Sequence, residues 1–376
     1  MSTPVYLDYN ATAKVRPEAI EAIAAALEIG GNPSSTHASG RAARSVVETA
    51  RVAVGDLARA APETVTFVSG GTEANALAIN SAADAGFTRI ILGATEHDAV
   101  RATAYATGLP VEVWPVDAQG VADLACLGMA LRSPGPTLVC LMLANNETGV
   151  IQPVAEAARL VRAAGGWLHV DAVQAAGKIA IDVQALGADT LSLSAHKLGG
   201  PQGVGALISG SRTSLARQLH GGGQERGRRA GTENVPGIAG FGAAARAAQR
   251  DLPAAVQQAE WRDSLSDRLE QAGAVILGAS APRLAQTLCV ATPGFVSEIQ
   301  VMALDLAGVM ISAGAACSSG KVKPSDVVKA MGRSDLATCS VRISGGWASE
   351  RQDWDRCGDA WLQAFERRSA RRKEPA

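Results

Sequence analysis

Aromatic residues are scarce, 4% of 376 positions, so Ala, Val, Leu and Ile must fill any interior. Charge of one sign is missing too. The net charge of −1 leaves no excess with which to hold nucleic acid or a membrane surface as the main partner. One local exception, "ERRSARRKEPA" at 366–376, reads as a solvated terminal stretch. No run of about 18 apolar residues offers a bilayer span. The opening "MSTPVYLDYNATAK" lacks a basic and then apolar leader, which predicts a cytoplasmic protein. Six cysteines stand at 126, 140, 289, 317, 339 and 357 without a C-x-x-C pair, so neither a zinc site nor a disulfide framework is expected.

What is present is apolar content, 47%, in a chain long enough for two domains. "RPEAIEAIAAALEI" from Arg16 and "GRAARSVVETARVAVGDLARA" from Gly40 carry helical spacing. Short β-rich runs then alternate with helical ones: "TVTFVS" (64–69), "RIILGA" (89–94), "VEVWPV" (111–116), "TLVCLML" (137–143), "WLHVD" (167–171), "TLSLSA" (190–195) and "VGALIS" (204–209). That alternation predicts an α/β fold, a mostly parallel sheet with helices on both faces. After residue 255 the texture changes to a helix, "TLCVATPG", a cysteine segment and "CSVRISGG". Residues 16–255 are therefore expected to form a large domain, and 1–15 with 256–376 a smaller α+β domain.

Ligands of open α/β sheets sit at the carboxyl ends of strands, so the residues that follow each run matter. Gly70 and Gly71 precede Thr72, read as the cap of the next helix. This is either an anion cradle at a helix N-terminus or an ordinary tight turn. His97 ends the next run, as a functional or a structural histidine. Asn145 and Asn146 either meet a ligand or hold their turn. Asp171 ends an apolar strand, where a carboxylate needs a cationic partner. Lys197, between Ser194, His196 and a glycine-rich loop, stands where a buried amine makes Schiff bases. Phosphate cradle, aspartate, lysine and a flat histidine together fit pyridoxal 5′-phosphate. In "VMISAGAACSSGKVKPSD" (309–326), Cys317 stands among Gly, Ala and Ser with no nearby metal-sharing partner.

The motifs "YLDYNATA", "GNPSSTHASGRAAR", "FVSGGTEANALAI", "TEHDAV", "NNETGVIQP", "VDAVQAAGK", "SAHKLGGPQGVGAL", "GGGQERGRRAGTENVPGIAG" and "SAGAACSSGKVKPS" run nearly end to end. Together they resemble the cysteine desulfurases, pyridoxal-phosphate enzymes of fold type I in the class V aminotransferase group, with the longer cysteine loop. The resemblance implies the following roles. Lys197 holds the cofactor aldehyde and shuttles the substrate α-proton. Asp171 meets the pyridine nitrogen, and Gln174 the ring hydroxyl. His97 stacks on the ring and acts in proton transfer. Gly71, Thr72, Ser194 and His196 form the phosphate cup. Thr232 reaches the phosphate of the other subunit in a homodimer. Asn146 and Arg342 bind the substrate carboxylate, and Cys317 attacks the sulfur of L-cysteine, giving L-alanine and a persulfide. The sulfur then passes to an acceptor, such as an iron–sulfur scaffold or a thiolation system. A selenocysteine lyase, β-lyase or transaminase on the same scaffold is the alternative. The chain departs from the usual "YLDNAATTP" at Tyr9 and Lys14, and from "SLG" at Gly345. Cys140 and Cys289 are expected in the core.

Overall fold

The computed structural model describes residues 4–314 and 323–373, with side chains to residue 368. After strand β1 (Val5–Tyr6) come helices α1 (Pro17–Ile29) and α2 (Ala38–Leu57). Pro17 at the first turn of α1 and Gly30 in the left-handed conformation at its end, φ 58°, set its limits. Strands and helices then alternate as β2 (Val65–Val68), α3 (Gly71–Asp84), β3 (Arg89–Gly93), α4 (Asp98–Ala106), β4 (Val111–Trp114) and α5 (Leu124–Ala130). The series continues with β5 (Thr137–Met142), α6 (Val154–Ala163), β6 (Trp167–Asp171), α7 (Val183–Leu186), β7 (Thr190–Ser194) and β8 (Gly205–Ser209). Helix α8 (Val235–Arg250) then returns to pack on α1 and α2.

Seven of these strands form one sheet in the order β2-β8-β7-β6-β5-β3-β4. The ladders from β7 through β6, β5 and β3 to β4 are parallel, while β8 is antiparallel to both β2 and β7. Two inversions cancel, so β2 points the same way as β7, and six strands end at one edge. Every residue of β5 and of β7 is buried, as strands covered on both faces must be, which is why they read as unbroken apolar runs.

The remaining elements are α9 (Ala255–Gln271), β9 (Val275–Ile276), β10 (Thr287–Ala291), α10 (Ser297–Leu306), β11 (Val309–Met310), β12 (Ser312–Ala313), α11 (Asp326–Ala330), β13 (Ser340–Ser344) and α12 (Arg351–Lys373). A four-stranded sheet in the order β12-β13-β10-β9 gathers its own core, with Phe295, Trp354 and Trp361 almost fully buried. Each such side chain contributes about 1.5–3 kcal/mol of burial. The N-terminal Val5 and Leu7 join that second core, and β1 pairs in parallel with β11. Cys140 and Cys289 are both fully buried. No helix among the described residues is long and apolar enough to cross a membrane.

The candidate active site at the strand ends

A cavity of about 350 Å³ opens at the edge where these strands end. Gly71 and Thr72 face it from α3, His97 from the turn after β3, and Asn146 from the loop after β5. Asp171 and Gln174 enter after β6, Ser194, His196 and Lys197 after β7, and Arg342 from β13. Ten of the twelve residues given a site role in the sequence therefore line one cavity. Two do not. Thr232 lines a separate cleft of about 160 Å³ with Phe67, Val68 and Glu225, and Cys317 lies outside the described residues.

Thr72 does not cap α3. The helix begins at Gly71 with Gly70 before it, and no side chain caps it. The reason is a close approach: a Cβ on Gly71 would come within 2.8 Å of Val173 Cγ2 and 3.5 Å of Ser194 Cβ. Glycine lets the helix enter there, and its first N–H groups are left facing the cavity without a side-chain partner. His97 is itself a cap. Its Nδ1 accepts from Ala99 N at 3.1 Å, so the ring of the neutral form carries its proton on Nε2.

Asp171 is 6% exposed, and its carboxylate is held from behind. Asn75 Nδ2 donates to Oδ2 at 2.8 Å, and Val173 N donates to Oδ1 at 2.9 Å. Behind Asn75 stands His169, whose Nε2 is 2.9 Å from Asn75 Oδ1 and whose Nδ1 is 2.8 Å from Thr190 Oγ1.

Lys197 is held by the N-terminal strap of residues 6–12. Its Nζ donates to the carbonyls of Asn10 at 2.6 Å and Ala11 at 2.8 Å. Burial, and then the Arg342 cation, push its pKa down to about 8 against the pull of Asp8 and Asp171. A second lysine meets the same asparagine. Lys178 Nζ donates to Asn10 Oδ1 and to Gln174 Oε1, both at 2.7 Å, while Gln174 Nε2 donates to Asn10 O at 2.9 Å. Lys178 is fully enclosed, and burial holds it well below its ordinary value. Burial, with Lys197 and Lys178 nearby, also holds the His196 imidazole neutral, near 4.

From β13, Arg342 Nη2 donates to Asp8 Oδ1 at 2.7 Å and Nη1 to Asn146 O at 3.2 Å, while its Nε has no hydrogen-bond partner among the described residues. The described ends flanking residues 315–322 meet one buried carboxylate. Ser325 Oγ donates to Glu147 Oε2 at 2.6 Å, and a Cβ on Gly314 would strike that same oxygen. Glu147 is raised above the ordinary carboxylate range, by burial first. A second buried acid, Glu96, accepts from Met142 N and is pushed up to about 8 by burial and Asp171.

Lys197 and Lys178 also border a second cavity of about 450 Å³ on the far side, roofed by Arg16 and Trp347. The Arg16 guanidinium lies 5.2 Å from the Trp347 ring, and Trp347 Nε1 donates to Lys14 O at 2.8 Å. Gly346 is required here, because a Cβ would overlap the buried Tyr9 ring.

Asn10, Asn75, Glu96, His169 and Lys178 are the site's supports that sequence reading passed over. Only His169 carried a local signal, standing two residues before Asp171 on one face of β6.

The family model described as aminotransferase class-V matches residues 5–357. A cysteine desulfurase of Cereibacter sphaeroides is 45% identical over 341 residues, covering 87% of this chain and 86% of that protein. A cysteine desulfurase IscS of Anaeromyxobacter dehalogenans (strain 2CP-C) is 40% identical over 94% of this chain and 91% of its own length. Among solved structures, a NifS-like protein from Rickettsia africae ESF-5 superposes with a TM-score of 0.90 at 31% identity, covering 96% of this chain and 99% of its own.

Proposed function

The chain belongs to the aminotransferase class-V family and, within it, to the cysteine desulfurases, and from that premise we propose that it takes sulfur from L-cysteine with pyridoxal 5′-phosphate held at the strand ends. The residues present fit that cofactor. The uncapped start of α3 at Gly71 and Thr72, with Ser194 and His196 beside it, suits a phosphate. Asp171 suits a protonated ring nitrogen, and the Lys197 amine suits the aldehyde. Bound there, the cofactor supplies a carbonyl that bonds an amine and a ring that withdraws electrons from the neighbouring carbon.

The chain's own groups do the rest. Arg342 and Asn146 bind the substrate carboxylate, Arg342 exchanging Asp8 for it in a bidentate grip. Lys197 Nζ takes the α-proton and returns it, a task for which a value near 8 leaves the amine free at mildly alkaline pH. His97 covers the ring and presents its Nε2 proton, and Gln174 bonds the ring hydroxyl. The Cys317 thiolate forms an S–S bond to the substrate Sγ as Cβ–Sγ breaks, and the carbon fragment leaves as L-alanine. The persulfide on Cys317 then passes to an acceptor protein such as an iron–sulfur scaffold, in the cytoplasm. Thr232 completes the phosphate cup of a second copy in a homodimer.

Support comes above all from the convergence of Lys197, Asp171 and Arg342 on one cavity, in a chain 45% identical to a cysteine desulfurase. The test is an anaerobic reaction of purified protein with L-cysteine. Alanine in step with one added sulfur on Cys317 is expected. Pyruvate and free sulfide, with Cys317 unmodified, would replace this reading with a β-lyase.

A further inference from the structure

We propose that Asn75 and His169 are positioning residues for Asp171, forming with Thr190 a buried relay that holds its carboxylate aimed at the cofactor's ring nitrogen. This rests on the reading of Asp171 given above.

The protons of the relay have only one consistent arrangement. An ionised carboxylate only accepts, so the Asn75 amide must turn its Nδ2 to Asp171 Oδ2, 2.8 Å away. Its Oδ1 then faces His169 Nε2 at 2.9 Å, which must carry the imidazole proton. His169 Nδ1 is left to accept, and the Thr190 hydroxyl at 2.8 Å donates to it. All three supports are buried, at 1%, 0% and 4% exposure, so water does not substitute for any of them.

The amide between the two titratable groups matters. An imidazole touching Asp171 directly would be drawn toward imidazolium and would neutralise the carboxylate. With Asn75 between them, and with burial holding His169 down to about 3, the imidazole stays neutral. The full charge of Asp171 is left for the ring. The relay also indexes the two ends of the cofactor to each other. Asn75 lies one helical turn after Gly71 on α3, so one rigid helix faces the phosphate with its start and Asp171 with its second turn.

The test uses Asn75→Leu, His169→Leu, His169→Gln and Asp171→Asn. The readouts are the dissociation constant of pyridoxal phosphate from fluorescence titration of the apoprotein, kcat and KM for L-cysteine, and the melting temperature. The two leucine variants should weaken cofactor binding and lower kcat by about tenfold each, with KM nearly unchanged. His169→Gln, which keeps an N–H toward Asn75, should recover most of that loss. Asp171→Asn should lose more than either. Leucine variants that melt lower yet bind cofactor like the parent would reduce the relay to packing and overturn the proposal. Parent-like binding by Asp171→Asn would instead overturn the reading of Asp171 itself. A measurement on the unsubstituted protein stands apart from any folding defect: nitrogen NMR of the five histidines. His169 should remain a neutral Nε2–H imidazole across roughly pH 5 to 8. An Nδ1–H tautomer, or an imidazolium at the acid end, would overturn the proposal.

Discussion

Asp171 and Arg342 line one cavity, yet they are secured in different ways. Asp171 is held by its own sheet and the adjoining helix, through Asn75, Val173 and the histidine behind them. Arg342 belongs to the smaller sheet but is held by Asp8 of the strap and the Asn146 carbonyl beyond β5. The Asp171 carboxylate is thus fixed within the large sheet and its helix, while Arg342 is tied to the strap and to the loop after β5 by bonds that a substrate can replace. Changes on the first side should affect cofactor retention, and changes on the second should affect the substrate step.

The sharpest test is Lys197→Ala, which removes the amine proposed to take and return the substrate α-proton. Alanine formation should fall by roughly 10³-fold or more. Next comes Arg342→Gln. Its kcat/KM for L-cysteine should fall about 100-fold with cofactor affinity held within twofold. Equal losses in both quantities would dissolve the distinction between the two sides. A subtler coupling crosses the cavity. Burial and Arg342 disfavour the Lys197 ammonium, so the reactive amine is depleted below a pH of about 8 and plentiful above it. Capture of pyridoxal phosphate by the apoprotein, followed by visible absorbance, should therefore speed up with rising pH and level off above about 8. In Arg342→Gln that midpoint should move upward. The smallest effect is expected from Ser325→Ala, which removes the cap of α11 and the partner of Glu147. Urea unfolding should show a loss of about 1 kcal/mol with cofactor binding unchanged.

The sheet was legible because its central strands are buried on both faces, which writes them as apolar runs such as "TLVCLM" and "TLSLS". Helix starts were less so. The entry of α3 depends on how closely Val173 and Ser194 approach Gly71, and local sequence does not record that contact. Lys197 and Asp171 were visible from their place after strands. Arg342 emerged only through family resemblance, because what makes it part of the site is Asp8, 334 residues away. Asn10 and Lys178, 168 positions apart, escaped for the same reason. Each looks ordinary until the chain brings it to its partner.

The strap has a consequence for how the protein is made. Asn10 N bonds Ser344 Oγ and Arg342 bonds Asp8, so nearly the first and nearly the last folded segments meet at the site. During synthesis the seven-stranded sheet can form long before β13 has been translated, but the cavity cannot close. A nascent chain therefore carries an exposed lysine and an unfinished pocket until translation is almost done, and such long-range closure is intrinsically slow. On the proposed function, a truncated product lacking β13 should keep the seven-stranded sheet without a finished cofactor pocket.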